Sequence, residues 1–464
     1  MNFNSLPFLA FILVVMLAWD RFRARPTSRW LFLCTASLVF YGWWDWRFVF
    51  LLLGSGTVDF LAALGMEKWP ARRRFLLVAS LGVNIGALVF FKYLSFAAMQ
   101  LRELLGVADA EWGWTDSIVL PIGISFYTFQ SMSYTIDCYR GRLRATRNPL
   151  HFLSYLSMFP QLVAGPIVRA TDLIPQLATP GHFNRSNRLS GLGQVACGFF
   201  KKTVIADNLA PAVNDLFAIG NHSGDALVWW VAAGLFAIQI FADFSGYSDI
   251  ACGIARWLGY RFPENFRQPY LATSFRDFWS RWHITLSTWF RDYVYIPLGG
   301  SRASAPRTSV NLMFTMLVSG LWHGANWTFL VWGGLHGTFL LVERLLPRFP
   351  ANGGVPVAAL RWAVVMAGVL VGWAVFRAEN LEPAWTIVST MFMGEWRLDG
   401  VLPVLDAPAR LGLLAATILV GTWAIRRFRA GEPSIPVRVI VIAIALLAAV
   451  FLRGPGNDFI YFQF

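Results

Sequence analysis

SVNLMFTMLVSGLWHGANWTFLVWGGLHGTFLLV (309–342) contains no Asp, Glu, Lys or Arg. It exceeds the roughly 20 apolar residues that a helix needs to cross a bilayer core. It also holds two histidines. An ionisable side chain at membrane depth is costly and marks a functional site by default. Read as one helix, Ser319, His323, Asn326 and Trp327 fall at i, i+4, i+7 and i+8, on one face. Ser319 or Asn326 is then placed to fix the His323 tautomer, and Trp327 to wall a site. Gly320, Gly324, Gly333, Gly334 and Gly337 permit close approach of backbone or ligand. His336 lies thirteen residues on, about 220° around an ideal helix, and reads as structural. The competing reading of His323 is a histidine hydrogen-bonded between helices as packing glue.

The whole chain has this character. Of 464 residues, 56% are hydrophobic and 14% charged, against about 25% charged in a soluble protein. Mean hydropathy is +0.52. Too little polar material is present to cover a water-exposed surface, so the expected class is an all-α polytopic membrane protein. Disorder, a coiled coil and a secreted disulfide scaffold are excluded. Candidate spans lie near 5–19, 30–53, 75–96, 117–136, 150–168, 190–218, 226–252, 308–342, 358–377, 383–394, 411–425 and 437–452. Several carry Gly or Pro, which predicts broken or re-entrant helices covered by protein or lining a cavity. No cleavable signal peptide is expected, because the first positive charges follow residues 5–19. Four cysteines without CxxC spacing read as small core residues.

The net charge of +13 is concentrated in connections, which points to a bilayer and not to a nucleic-acid partner. Residues 20–29 set Arg21, Arg23, Arg25 and Arg29 against Asp20. Residues 67–74 set Lys68, Arg72, Arg73 and Arg74 against Glu67. Residues 137–147 and 426–438 each carry four arginines against one acid. Residues 97–116 reverse the sign, with Arg102 against Glu103, Asp109, Glu111 and Asp116. The positive-inside rule places the first four in the cytoplasm, and the N-terminus, 97–116 and the C-terminal tail outside.

Residues 256–307 mix eight arginines with Trp257, Trp279, Trp282 and Trp289. Such a segment suits an interfacial cytoplasmic location. It serves either as an anchor on lipid head groups or as a source of cations, Arg281 and Arg291 among them, for a phosphate-bearing substrate. His283 lies inside it. His182 and His222 read as loop residues, and His151 as a helix start after Asn148-Pro149. Asp243 and Asp249 read as caps of a helix break or as partners of downstream arginines. The tail NDFIYFQF (457–464) presents Tyr461, whose phenol could meet a buried base or anchor in an aromatic belt. No GxGxxG, Walker A, HExxH or GxSxG sequence occurs, and no metal set is expected.

Several long strings resemble the membrane-bound O-acyltransferases, in particular the bacterial branch that O-acetylates alginate and peptidoglycan. They are LPIGISFYTFQSMSYTIDCYRG (120–141), FPQLVAGPIVR (159–169), DFWSRWHITLSTWFRDYVYIPLGG (277–300), SGLWHGANWTFLVWGGLHG (319–337) and FIYFQF (459–464). Ser280 stands where the alginate branch carries arginine. The resemblance implies one membrane domain over 1–464, with N-terminal helices to about 116, a core over 117–395 and C-terminal helices and tail beyond. It implies a central funnel or tunnel, His323 as the catalytic histidine, His283 as the second, upstream histidine, and Tyr461 as an acyl carrier. It also implies no bound cofactor, acetyl-CoA as cytoplasmic donor, an exported exopolysaccharide as acceptor, a periplasmic SGNH-type partner and a multi-pass location in a bacterial inner membrane. Alternatives from other classes are a polysaccharide or lipid-precursor flippase and a non-catalytic assembly scaffold. Within the enzymes, the alternative is a D-alanyl or other acyl transferase.

Overall fold

The computed structural model describes residues 1, 3–106, 113–163, 165–179, 183, 185–220, 224–346, 354–397, 435–456 and 459–460. The expected span 411–425, the arginines at 426, 427 and 429, His182, His222 and Tyr461 lie outside them. Among the described residues every named element is helical, and one isolated bridge joins Asp225 to Glu395. By length and composition, four helical runs can cross a membrane: Arg47–Lys68, Pro70–Leu105, Ala226–Trp257 and Gly354–Arg377. The chain is thus an all-α polytopic membrane protein. Its contacts resolve into two compact units.

The first unit comprises Met1–Val195 and Ile250–Pro263. α1 (Leu6–Phe22) starts at Ser5, whose hydroxyl accepts from the Phe8 amide at 3.3 Å. The expected span 30–53 is two helices, α2 (Pro26–Gly42) and α3 (Arg47–Lys68). They part at the Trp43–Trp46 turn, where Asp45 pairs with Arg47 at 2.6 Å. Two helices between the positive connections 20–29 and 67–74 are what a common side for both requires. α4 (Arg73–Leu88) passes through a π turn at Val89–Tyr93 into α5 (Leu94–Leu105). α6 (Ile124–Tyr139) follows Gly123, whose φ is 80° and on which a Cβ would stand 2.4 Å from the Leu162 carbonyl oxygen, so no side chain fits. The expected span 150–168 is also broken, into α7 (Pro149–Leu156) and α8 (Phe159–Leu162). At eight residues α7 reaches only about 12 Å. α9 (Ala170–Ala178) ends on buried Arg29, which donates to the carbonyls of Leu177 at 2.9 Å and Ala178 at 2.8 Å. A cation at exposed helix-end carbonyls satisfies both hydrogen bonding and dipole. His151 does open a helix: Asn148 caps α7, and the imidazole bonds the Ile174 carbonyl and stacks on Trp30.

A polar clamp ties three of these helices. Fully buried Asp59 on α3 accepts from Ser80 at 2.5 Å and Asn84 at 2.9 Å on α4, and from the Ser131 hydroxyl on α6. Such bonds between apolar helices replace the hydrophobic drive that lipid removes.

The second unit comprises Ala196–Asp249 and Glu264–Phe464. α10 (Arg185–Phe199), which belongs to the first unit as far as Val195, runs through a π turn at Phe200–Ala206 into α11 (Asp207–Gly220). The 32-residue α12 (Ala226–Trp257), in this unit as far as Asp249, follows, then the short α13 (Phe275–Arg281) and α14 (Ile284–Phe290). The stretch 309–342 is not one helix. α15 (Ala305–His323) stops at extended Gly324, and α16 (Trp327–Leu345) restarts after Asn326. The Asn326 side chain accepts from the Thr328 amide at 3.0 Å, the N-cap interaction. α15 and α16 cross closely through glycine. A Cβ on Gly320 would sit 2.2 Å from the Phe329 carbonyl oxygen, and one on Gly333 2.4 Å from that of Met316. α17 (Gly354–Arg377), α18 (Leu381–Met393) and α19 (Ile435–Phe451) complete the described helices.

Candidate active site around His323

His283 occupies the sharp corner between α13 and α14. Its φ of 42° and ψ of 53° are left-handed, a conformation that among described non-glycine residues only Gln268 shares in sign of φ. Such a residue is held there by its surroundings and flags a functional site. Asn265 does the holding. Its carbonyl accepts from the Ile284 amide at 2.9 Å, and its side chain accepts from the Thr285 hydroxyl at 2.9 Å and donates to Ser248 at 3.1 Å. The imidazole is fully buried, with Phe244 at 4.7 Å and Trp322 at 5.8 Å between ring centres. Loss of hydration lowers its pKa well below the ordinary histidine value, which keeps the ring neutral.

His323 is the last residue of α15 and is 3% exposed. Trp322 lies 5.1 Å from it, Trp332 4.9 Å and Phe376 5.4 Å, all edge to face. Trp332 also lies 4.9 Å from buried His336, which Trp279 flanks at 5.2 Å. Three histidines are thus strung through two indoles, in the order His283, Trp322, His323, Trp332, His336.

This array corrects the helical-face expectation. Because the chain breaks at Gly324, Asn326 does not sit on the His323 face. Its amide donates to the Glu379 carbonyl at 2.7 Å while its oxygen caps α16. Trp327 is 45% exposed, so it does not wall a buried site; Trp322 and Trp332 take that place. Ser319 remains one turn before His323 and is buried. His336, set apart by the rotation argument, is separated from His323 by a single ring. Arg281 pairs with Asp277 and Arg291 with Asp292, each at 2.7 Å. Both lie on the His283 segment but stay partly exposed.

The acids behave differently from expectation. Asp243 pairs with Lys202, not with an arginine, at 2.9 Å, and Lys202 also pairs with Asp207 at 2.9 Å; Asp249 pairs with Lys201 at 2.6 Å. Lys202, Asp207 and Asp243 are all buried. The signal for this cluster was a lysine inside an apolar run with Asp207 five residues on. In the C-terminal segment, Phe459 packs 4.2 Å from Tyr247 and 5.7 Å from Phe244, ring to ring. Among the described residues no group of three or more His, Cys, Asp or Glu is arranged to hold a metal ion.

A polytopic helical protein with imidazoles packed among aromatic rings away from water carries a candidate site for chemistry inside the membrane. The comparisons with known proteins specify the class. Residues 139–352, which include His283 and His323, match MBOAT, the membrane-bound O-acyltransferase family. Over 408 residues the chain is 42% identical to the probable alginate O-acetylase AlgI of Azotobacter vinelandii, covering 86% of this chain and 80% of that protein. It is 40% identical over 443 residues to the AlgI of Pseudomonas aeruginosa, with coverage of 92% and 82%. It is 34% identical over 423 residues to the peptidoglycan O-acetyltransferase of Helicobacter pylori, with coverage of 84% and 79%. The chain belongs to the membrane-bound O-acyltransferase family and is an acyltransferase.

Proposed function

We propose that this protein moves acetyl groups from acetyl-CoA across a bacterial inner membrane for O-acetylation of an exported polysaccharide. The observation that carries the reading is the buried His283–Trp322–His323 array within a chain about 40% identical to alginate O-acetylases along most of its length.

A thioester is already activated, so the site must supply a base and a donor to the developing oxyanion. His323 takes the proton of the acceptor hydroxyl as its oxygen attacks the thioester carbonyl carbon. The C–S bond then breaks, and the proton passes from the imidazolium to the departing CoA sulfur. The C-terminal end of α15 favours the positive ring formed in between. His283 donates to the thioester oxygen, its orientation fixed by Asn265. Buried Ser319 is the remaining candidate to fix the His323 tautomer. Arg281 and Arg291 exchange their aspartate partners for CoA phosphates at the cytoplasmic mouth. Tyr461 receives the acetyl group first, and a periplasmic SGNH-type partner completes transfer to the polymer. The reading requires a passage to His323 from each side of the membrane.

Purified protein incubated with acetyl-CoA and a soluble partner tests this directly. Free CoA must be released, and acetyl must appear on Tyr461 in the C-terminal peptide by mass spectrometry. Transport of polymer without consumption of acetyl-CoA would instead identify a flippase. Release that depends on a D-alanyl carrier would identify a D-alanyl transferase.

A further inference from the structure

The buried Lys202 cluster has no part in the acyl transfer described above, yet two segments of the C-terminal chain are fastened to it. Lys202 lies in the π turn Phe200–Ala206, a departure from α-helix that recurs at functional sites. Its Nζ bridges Asp207 and Asp243, each at 2.9 Å. After α19, the Gly454 amide donates to the Thr203 carbonyl at 2.9 Å, and Asn208 donates to the Leu452 carbonyl at 2.9 Å. The crossing is so close that a Cβ on Gly454 would stand 2.4 Å from the Asp207 carbonyl carbon. The Ile460 amide then donates to Asp243 Oδ2 at 2.7 Å, while Asp243 Oδ1 faces Lys202. Phe459 and Ile460 are both buried. Phe459 lies against Phe244, the ring 4.7 Å from His283.

We infer that Lys202 and Asp243 are positioning residues that dock the C-terminal segment beside His283, one carboxylate oxygen answering the lysine and the other the Ile460 amide. A charge pair buried in this way holds both groups in one geometry, because breaking it strands a charge away from water. The segment entering Tyr461 is thereby presented to the site. That consequence for turnover rests on the acyl-relay reading above; the docking itself does not.

Hydrogen exchange at the Ile460 amide reads the docking without reference to activity. In full-length protein carrying Asp243→Ala, exchange at Ile460 rises roughly tenfold or more, the scale of one charge-assisted hydrogen bond, while amides in the middle of α12 stay as protected as in the parent. Asp243→Asn, which keeps an acceptor oxygen, restores part of the protection. Unchanged exchange in Asp243→Ala overturns the inference. If that variant does not accumulate, Gly454→Ala carries the test at the other attachment, with faster Ile460 exchange expected and unchanged exchange contradicting it. Under the relay reading, turnover falls in the docking variants while KM for acetyl-CoA holds. An opened tail with undiminished turnover upholds the docking and removes the relay.

Discussion

His283 and His323 share one indole: the centre of the Trp322 ring lies 5.8 Å from the first imidazole and 5.1 Å from the second. A residue from the α13–α14 corner and the end of α15 are thereby indexed to a common rigid surface. Rigid aromatic packing suits a site whose reacting groups must be held in register.

The corner at His283 separates backbone strain from chemistry. Asparagine accepts a left-handed backbone, whereas a β-branched residue does not. His283→Asn is expected to unfold thermally within a few degrees of the parent while losing transfer by roughly 10²-fold, the scale of a removed oxyanion donor. His283→Val is expected to lose transfer and also about 1–2 kcal/mol of stability. Thermal unfolding in detergent, run beside an acetyl-transfer assay, reads both. Equal melting of the two variants would contradict the strained corner.

Neighbouring glycines on α16 provide a second comparison. Gly333→Ala drives a methyl group to 2.4 Å from the Met316 carbonyl oxygen, whereas Gly334→Ala meets only the Leu317 side chain at 3.6 Å. The first is expected to abolish accumulation in the membrane or cost several kcal/mol. The second is expected to accumulate normally, since alanine is the better helix former. Immunoblots of membranes suffice to distinguish them.

Asn326 is assigned to capping, not to the reacting centre. Asn326→Ala is expected to cost about 1 kcal/mol through loss of the α16 cap, with KM for acetyl-CoA unchanged. Asn326→Asp, which keeps the capping acceptor, is expected to recover most of the stability. A variant of full stability and no transfer would return Asn326 to the site.

These cases show where the sequence was legible. Apolar length and the signs of the connections gave the membrane class, because lipid leaves few ways to satisfy a backbone. Asn148-Pro149 announced a helix start, and His323 stood out as an ionisable group in apolar sequence. The break at Gly324 was hidden because Gly-Ala-Asn-Trp sits inside an unbroken apolar run, and hydropathy does not register a change of helix. The Asn326 cap was its one local signal. Continued through that break, helical rotation sets His336 apart from His323 and puts Trp327 on the His323 face, where the structure has Trp322 and Trp332. Lys202 was half legible: Asp207 stands five residues on, but Asp243 and the C-terminal chain meet Lys202 and its turn only through tertiary folding. Asp59 also stands in apolar sequence, but its partners were hidden, since Ser80, Asn84 and Ser131 come from two other helices.

The most direct test of the whole account is acetylation of the exported polymer in cells whose only copy carries His323→Ala, with the protein quantified in the membrane. The account predicts that acetylation falls by 10²–10⁴-fold, the contribution of a general base, at an undiminished protein level. Acetylation at the parent level in those cells would contradict it.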